Sequence, residues 1–264
     1  MSDRTADWLA GMWLVLVVLV SLFASALTAH DPYDPAGPTL APPGGPFPLG
    51  TDALGRDLWS RLAYGGRFSL GASLLASGLT VLLGGSLGLL AAALGGWVER
   101  GVLWLANSML AIPGLLLAML LVAGMGPGMP TVILAVAIGG TPGYARLSRG
   151  LFAALREMGY VAAAAALGAG RFWLAWRHVL PNARDHLISL ATTSFAWAFL
   201  GTTTLTFLGL TGEPALPEWG ALLNAGRLHL VQAPRLVILP GVLITLTILS
   251  VHRLGDWLSR RIAT

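Results

Sequence analysis

Charged positions along the chain are spaced so that residues 8–30, 68–98, 101–145, 186–212 and 236–252 contain no Asp, Glu, Lys or Arg. A helix needs about 20 apolar residues to cross a hydrocarbon layer about 30 Å thick. The 101–145 run is too long for one crossing, and Gly124-Met-Gly-Pro-Gly-Met-Pro130 divides it with turn-forming residues. The pattern therefore predicts six spans, at about 8–29, 70–94, 102–123, 130–148, 188–210 and 236–255. The runs are continuously apolar and do not alternate with period two, which favours helices over barrel strands.

Composition agrees with lipid as the solvent. Hydrophobic residues make up 55% of the 264, and charged residues 11%, against roughly 25% charged in soluble domains. Cysteine is absent, which excludes disulfide scaffolds, thiolate metal sites and cysteine nucleophiles. All 16 basic residues are arginine, so a phosphate-binding P-loop lysine is excluded as well. With six spans, eleven arginines fall on the side that carries both termini and the loops near 95–101 and 149–187, and five fall on the other (Arg56, Arg61, Arg67, Arg227 and Arg235). Arginine excess marks the cytoplasmic face, so both termini are expected inside. The net charge of +4 then reflects membrane topology; a nucleic-acid surface would need a basic patch with interleaved aromatics on a soluble face.

Residues 1–29 are thus expected to hold the N-terminus and first transmembrane helix. Ala24-Ser-Ala26 has the small-x-small pattern of a signal-peptide cleavage site, but Asp3 and Asp7 outweigh Arg4 ahead of a long apolar run, which favours a retained helix. Residues 30–67 form an extracytoplasmic Pro/Gly-rich loop, followed by a short interfacial helix in which Leu58, Trp59, Leu62 and Tyr64 alternate with arginines. Residues 68–258 form a five-helix core with an inside loop, 149–187, and an outside loop, 211–235; 259–264 is a cytoplasmic tail. In the inside loop the alanine run 162–166, a turn at Gly168-Ala-Gly170 and a second helical stretch ending at Pro181 predict two short helices in a compact knob.

Four candidate features carry less chemistry than their residue types suggest. Gly50-Thr-Asp-Ala-Leu-Gly-Arg-Asp57 has P-loop glycine spacing but places Arg56 and Asp57 where lysine and a magnesium-binding hydroxyl belong. It reads instead as a helix start capped by Thr51 or Asp52. Gly84, Gly88, Ala92 and Gly96 recur every four residues, a stripe that lets helices approach closely, either for packing or as a gating surface against a partner. Gly139-Gly-Thr-Pro-Gly143 predicts a kink or hinge in the fourth span. The five histidines include no pair at the i,i+4 spacing of a helical metal site, so no metal or other cofactor is assigned to this chain.

Four stretches resemble the permease subunits of dipeptide, oligopeptide and nickel ABC importers, in particular the second, shorter permease of the pair. They are FPLGTDALGRDLWSRLAYGGRFSL, YVAAAAALGAGRFWLAWRHVLPNA, FLGLTGEPALPEWGALLNAGR and PGVLITLTILSVHRLGDWL, in family order across about residues 47–258. The resemblance implies an all-α, six-helix type I importer fold in a bacterial cytoplasmic (inner) membrane. It implies a homologous permease as heterodimer partner, an extracytoplasmic solute-binding protein, and two cytoplasmic ATPase subunits that hold the ATP and Mg. The family's coupling motif falls on Ala162, Ala163, Ala164, Gly168, Arg177, His178, Leu180 and Pro181, with Ala162 in place of the family's Glu and His178 in place of its Ile. The hydroxyl-bearing residues of the fifth span, Thr192, Thr193, Ser194, Thr202 and Thr203, are the candidates for the translocation path.

The expected function is that of a permease forming half of the pathway for peptides or for nickel and metal-chelate solutes. An ion-coupled secondary transporter is the alternative. It would keep acidic groups well inside its spans, where this sequence has none. Nothing resembles the paired carboxylates or nucleophile–base pair of an enzyme.

Overall fold

The computed structural model describes residues 2–262; Met1 and the last two residues of the expected tail, Ala263 and Thr264, lie outside the described residues. Among these the secondary structure is helical, with no strand beyond the isolated bridges Gly44–Phe47 and Thr51–Asp57. The helices are α1 (Ser2–Leu22), α2 (Ala24–Leu27), α3 (Leu58–Leu94), α4 (Gly96–Leu110), α5 (Gly114–Met125), α6 (Met129–Arg156), α7 (Gly159–Ala166), α8 (Arg171–Leu174), α9 (Leu180–Phe207), α10 (Trp219–Gly226) and α11 (Arg235–Ile262). Three of them, α1, α3 and α11, are long and apolar enough to cross a membrane singly, and α4 with α5 qualifies as a fourth, broken crossing. The 28 residues each of α6 and α9 also exceed a bilayer core in length, at about 42 Å, but carry more polar groups.

The short interfacial helix expected before the second span is instead the first turns of α3, a single helix of 37 residues. Arg61 is buried and Arg67 stays exposed, but both lay their guanidinium groups on backbone carbonyls. Arg61 Nη1 donates to Pro32 O at 2.8 Å and Ala215 O at 3.2 Å, and Arg67 donates to Ser21 O at 2.6 Å and Leu22 O at 2.7 Å. Paired in this way, Arg61 needs no water and Arg67 is anchored at the surface, so nothing ends the helix at residue 67. The cap is Asp57, whose carboxylate accepts from Ser60 N at 3.0 Å and from Ser60 Oγ at 2.6 Å. Thr51 and Asp52, the expected caps, serve the loop. Thr51 Oγ1 accepts from Ala41 N and donates to Pro38 O, while Asp52 accepts from Leu54 N and from the backbone and Nε of Arg56.

The span expected at 102–123 straddles a break. The helix stops at Leu110, turns through Ala111-Ile112-Pro113, and resumes at Gly114 with a 90° bend. Pro113 disfavours helical geometry in the residue before it, which explains why an apolar run without charges still divides there. Pro142 has a milder effect, and α6 runs through it. The hydroxyls of Thr141 and Thr80 both bond Ala137 O beside the proline, at 2.7 and 3.2 Å.

The small-residue stripe faces this chain's own α6. A Cβ on Gly84 would lie 2.9 Å from Thr141 O, and one on Gly88 2.1 Å from Ser148 Oγ and 2.8 Å from Ala145 O. Gly96 has left the stripe: it starts α4 with φ +57° and open space around it. The main buried cluster sits towards the other end, where Leu58 and Leu62 of α3, Phe199 of α9, Trp219 and Leu222 of α10 and Leu236 of α11 meet. The Pro-rich loop is tied over that end by Arg235, which donates to the carbonyls of Leu49, Leu40 and Ala41.

Candidate functional site

The knob of residues 157–181 is built outward from the end of α6. Val161, Leu174 and Val179 are buried with Phe152 and Leu155 of α6 and Ala92 of α3, which fixes the inner face of α7 and α8. The outer face is apolar and uncovered. Ala162 and Ala163 are exposed, Leu167 is 90% exposed, and Phe172, Trp173 and Trp176 follow. The helix α7 ends in a Schellman motif, in which Gly168 N donates to Ala165 O at 3.0 Å and Ala169 N to Ala164 O at 3.2 Å. That motif needs the left-handed conformation Gly168 adopts, φ +92°, and the position of its missing Cβ opens on empty space.

The second helix of the knob does not stop at Pro181. From Arg171 the chain passes through a π-helical turn, Ala175–Val179, straight into α9. A π turn shifts hydrogen bonding from i−4 to i−5, so the helix absorbs the donor that proline lacks and continues. The knob's outer arm and the fifth expected span are therefore nearly one rod. His178, standing where the resemblance leads to Ile, lies half-buried, with its ring edge-on to Trp173 at 4.9 Å and tilted against Tyr160 at 6.2 Å. The imidazole thus fills an apolar slot with its ring. Ala164 and Leu180 are half-buried, whereas Arg177 and Pro181 are exposed. The eight sequence-derived coupling residues thus gather on one knob.

The five path candidates do not gather. Thr202 and Thr203 are buried, with Thr202 Oγ1 2.7 Å from Ser73 Oγ of α3, and Thr203 Oγ1 without a hydrogen-bond partner among the described residues. Thr192 and Thr193, about 15 Å further along the helix, bond back to Ser189 O, and Ser194 is half-buried. Next to Thr202 the structure reveals a buried polar group that sequence reasoning missed. Glu218 accepts from Ser69 Oγ at 2.8 Å and from Ala221 N at 3.0 Å, capping α10. The backbone of Trp219 donates to the same Ser69 hydroxyl, and its indole Nε1 to Leu62 O at 2.9 Å. Burial pushes the Glu218 carboxyl above its ordinary value of 4.5, against the pull of hydrogen bonds from Thr206, Ala221, Ser69 and Gly220. An acidic residue placed just before Trp-Gly and a helical run was the available signal.

The chain is thus an all-helical bundle with helices long and apolar enough to cross a membrane, an apolar, uncovered knob at one end and a laced loop at the other. Residues 84–264 match the family of binding-protein-dependent transport system inner membrane components, and the chain belongs to that family. Among its relatives, the glutathione transport system permease protein GsiD of Pectobacterium atrosepticum is 36% identical over 256 residues, covering 94% of this chain and 83% of that protein. GsiD of Escherichia coli O157:H7 is 35% identical with the same coverage. The di/tripeptide transport system permease protein DppC of Pseudomonas aeruginosa is 39% identical over 254 residues, covering 94% and 84%. The chain is thus an ABC importer permease of the bacterial inner membrane, a transport subunit and not an enzyme, and its partners include ATPase and solute-binding components. Nothing supports the ion-coupled alternative.

Proposed function

We propose that this chain forms half of a translocation pathway for short peptides of the glutathione or di/tripeptide kind, paired with a homologous permease. It crosses the bilayer six times, by α1, α3, the bent α4–α5 pair, α6, α9 and α11, with both termini and the knob in the cytoplasm. Two cytoplasmic ATPases bind ATP and Mg; this chain binds no cofactor. An extracytoplasmic solute-binding protein delivers the cargo to the laced end, where Thr202 and Thr203 line the path and Thr192, Thr193 and Ser194 continue it inward. The relatives named for peptides support this cargo over nickel, which rests on the family resemblance alone.

One observation carries the coupling role. The knob presents Ala162, Ala163, Leu167 and Trp176 uncovered, on a helix whose end is locked by a Schellman turn. Apolar surface of this kind marks a protein contact, and a locked helix transmits force where a loose loop would dissipate it. An Ala163→Trp variant adds bulk to the exposed face without straining the backbone. ATPase recovery in pull-downs should fall at least about tenfold, as for bulk placed at the centre of a docking interface, with uptake lost and permease level retained. Normal recovery with normal uptake would refute the docking role.

A further inference from the structure

The carboxyl end of α3 lacks cations of its own: no basic residue lies in its last turn. Its terminal carbonyls are partial negative charges that favour a cation, and they receive one from α6 and one from the knob. Arg156, the last residue of α6, donates to Ala92 O, and Arg171, the first residue of α8, donates to Leu94 O at 2.9 Å. Immediately beyond, Gly95 and Gly96 both take positive φ, +65° and +57°, and turn the chain into α4. A Cβ on Gly95 would have only Glu99 Oε2 within 4 Å, and one on Gly96 nothing, so the glycines serve the left-handed turn and not a close approach. Across it Arg149 of α6 pairs with Glu99 in the first turn of α4.

Packing between the knob and this corner is incomplete. A cleft of about 280 Å³ lies there, lined by Leu89, Ala93, Phe152, Ala165 and Leu174 among others, with Arg156 and Arg171 also in its wall. Close-packed interiors transmit displacement, whereas groups facing a void lose the contacts that would carry it. Beside the apolar contacts of Val161 and Leu174 with Ala92 and Phe152, two directional hydrogen bonds span the cleft. Arg156 ties α3 to α6, and Arg171 ties it to the rod that runs through the π turn into α9.

We propose that Arg171 is a positioning residue for coupling, the strut through which movement of the knob displaces the α3–α4 corner. The inference rests on the docking role proposed above. When the ATPases move the knob, Arg171 carries Leu94 O with it, the diglycine corner flexes, and α4 changes its angle to α3. Arg171 is exposed, so its replacement leaves the apolar core untouched.

The test uses the assembled importer in proteoliposomes with di- or tripeptide cargo and its binding protein, comparing Arg171→Ala with Arg171→Lys. Three quantities are read together: ATPase recovery, ATP hydrolysed per peptide transported, and the increment of hydrolysis that loaded binding protein evokes. Arg171→Ala is expected to keep permease level and ATPase recovery. It should raise the ATP used per peptide at least about tenfold, the size of effect one charge-assisted hydrogen bond supports. Arg171→Lys, which still offers a cationic donor, should restore most of the coupling. Wild-type coupling in Arg171→Ala overturns the strut. So does loss of permease or of ATPase recovery, which would make Arg171 a structural or docking residue, and so does a Lys variant as uncoupled as Ala. Failure of the docking role itself shows separately, as undiminished ATPase recovery in Ala163→Trp.

Discussion

Glu218 is a carboxyl group with almost no water around it, held by a hydroxyl of α3 and a backbone N–H of its own helix. Its elevated pKa means that the native state holds this proton more firmly than the unfolded chain does. Stability from this group is therefore complete below the ordinary value of 4.5 and is lost as the pH rises through it towards the higher native value. Glu218→Gln should flatten that slope in thermal unfolding measured from about pH 4 to about pH 8, since the amide keeps an acceptor for Ala221 N and can donate to the neighbouring hydroxyls. Glu218→Ala should destabilise by about 1–3 kcal/mol at any pH, because the cap and the partner of Ser69 go together. A Gln variant with the full wild-type slope would place the titration elsewhere.

Helices were legible where the solvent decides and illegible where a distant partner does. The apolar runs located α1, α6, α9 and α11 because lipid leaves helix as the economical backbone form. The true start of α3 was hidden: Arg61 and Arg67 look interfacial until carbonyls as remote as Ala215 are seen to receive them. The break at Pro113 and the continuation through Pro181 were misjudged for a common reason. A proline's effect depends on whether the neighbouring turns can rearrange, and the π turn at 175–179 is such a rearrangement. The packing of α3 on α6 can be tested with two glycines of one helix. Gly88→Ala should destabilise by about 1–3 kcal/mol, because backbone atoms of α6 stand in the way. Gly78→Ala, with nothing within 4 Å, should be neutral or stabilising by up to about 1 kcal/mol. Equal effects in thermal melts would mean that α3 and α6 are not in the intimate contact described.

For the whole molecule, the two-helix form of the knob was readable because its residues are contiguous. The Glu218 cluster and the α3–α4 corner were not, since each joins segments more than 50 residues apart that no local pattern links. The orientation proposed from the arginine distribution is directly measurable in a chain without cysteine. A single cysteine at Glu213 or Gln232, both exposed at the laced end, should react in intact cells with a membrane-impermeant maleimide. One at Glu157, at the root of the knob, should react only after permeabilisation. Labelling of position 157 in intact cells would invert the molecule.

The fastenings of this fold are guanidinium groups laid on backbone carbonyls: Arg61, Arg67, Arg156, Arg171 and Arg235 each hold a segment in this way. No lysine shares the task, because none exists in the sequence. Reagents that seek side-chain amines, from succinimidyl cross-linkers to lysine-cleaving proteases, therefore find no target along its interior. In any amine-based cross-linking map of the assembled importer, every side-chain link belongs to a partner, and this subunit's contacts must be mapped through carboxylates, introduced thiols or arginine-directed dicarbonyls.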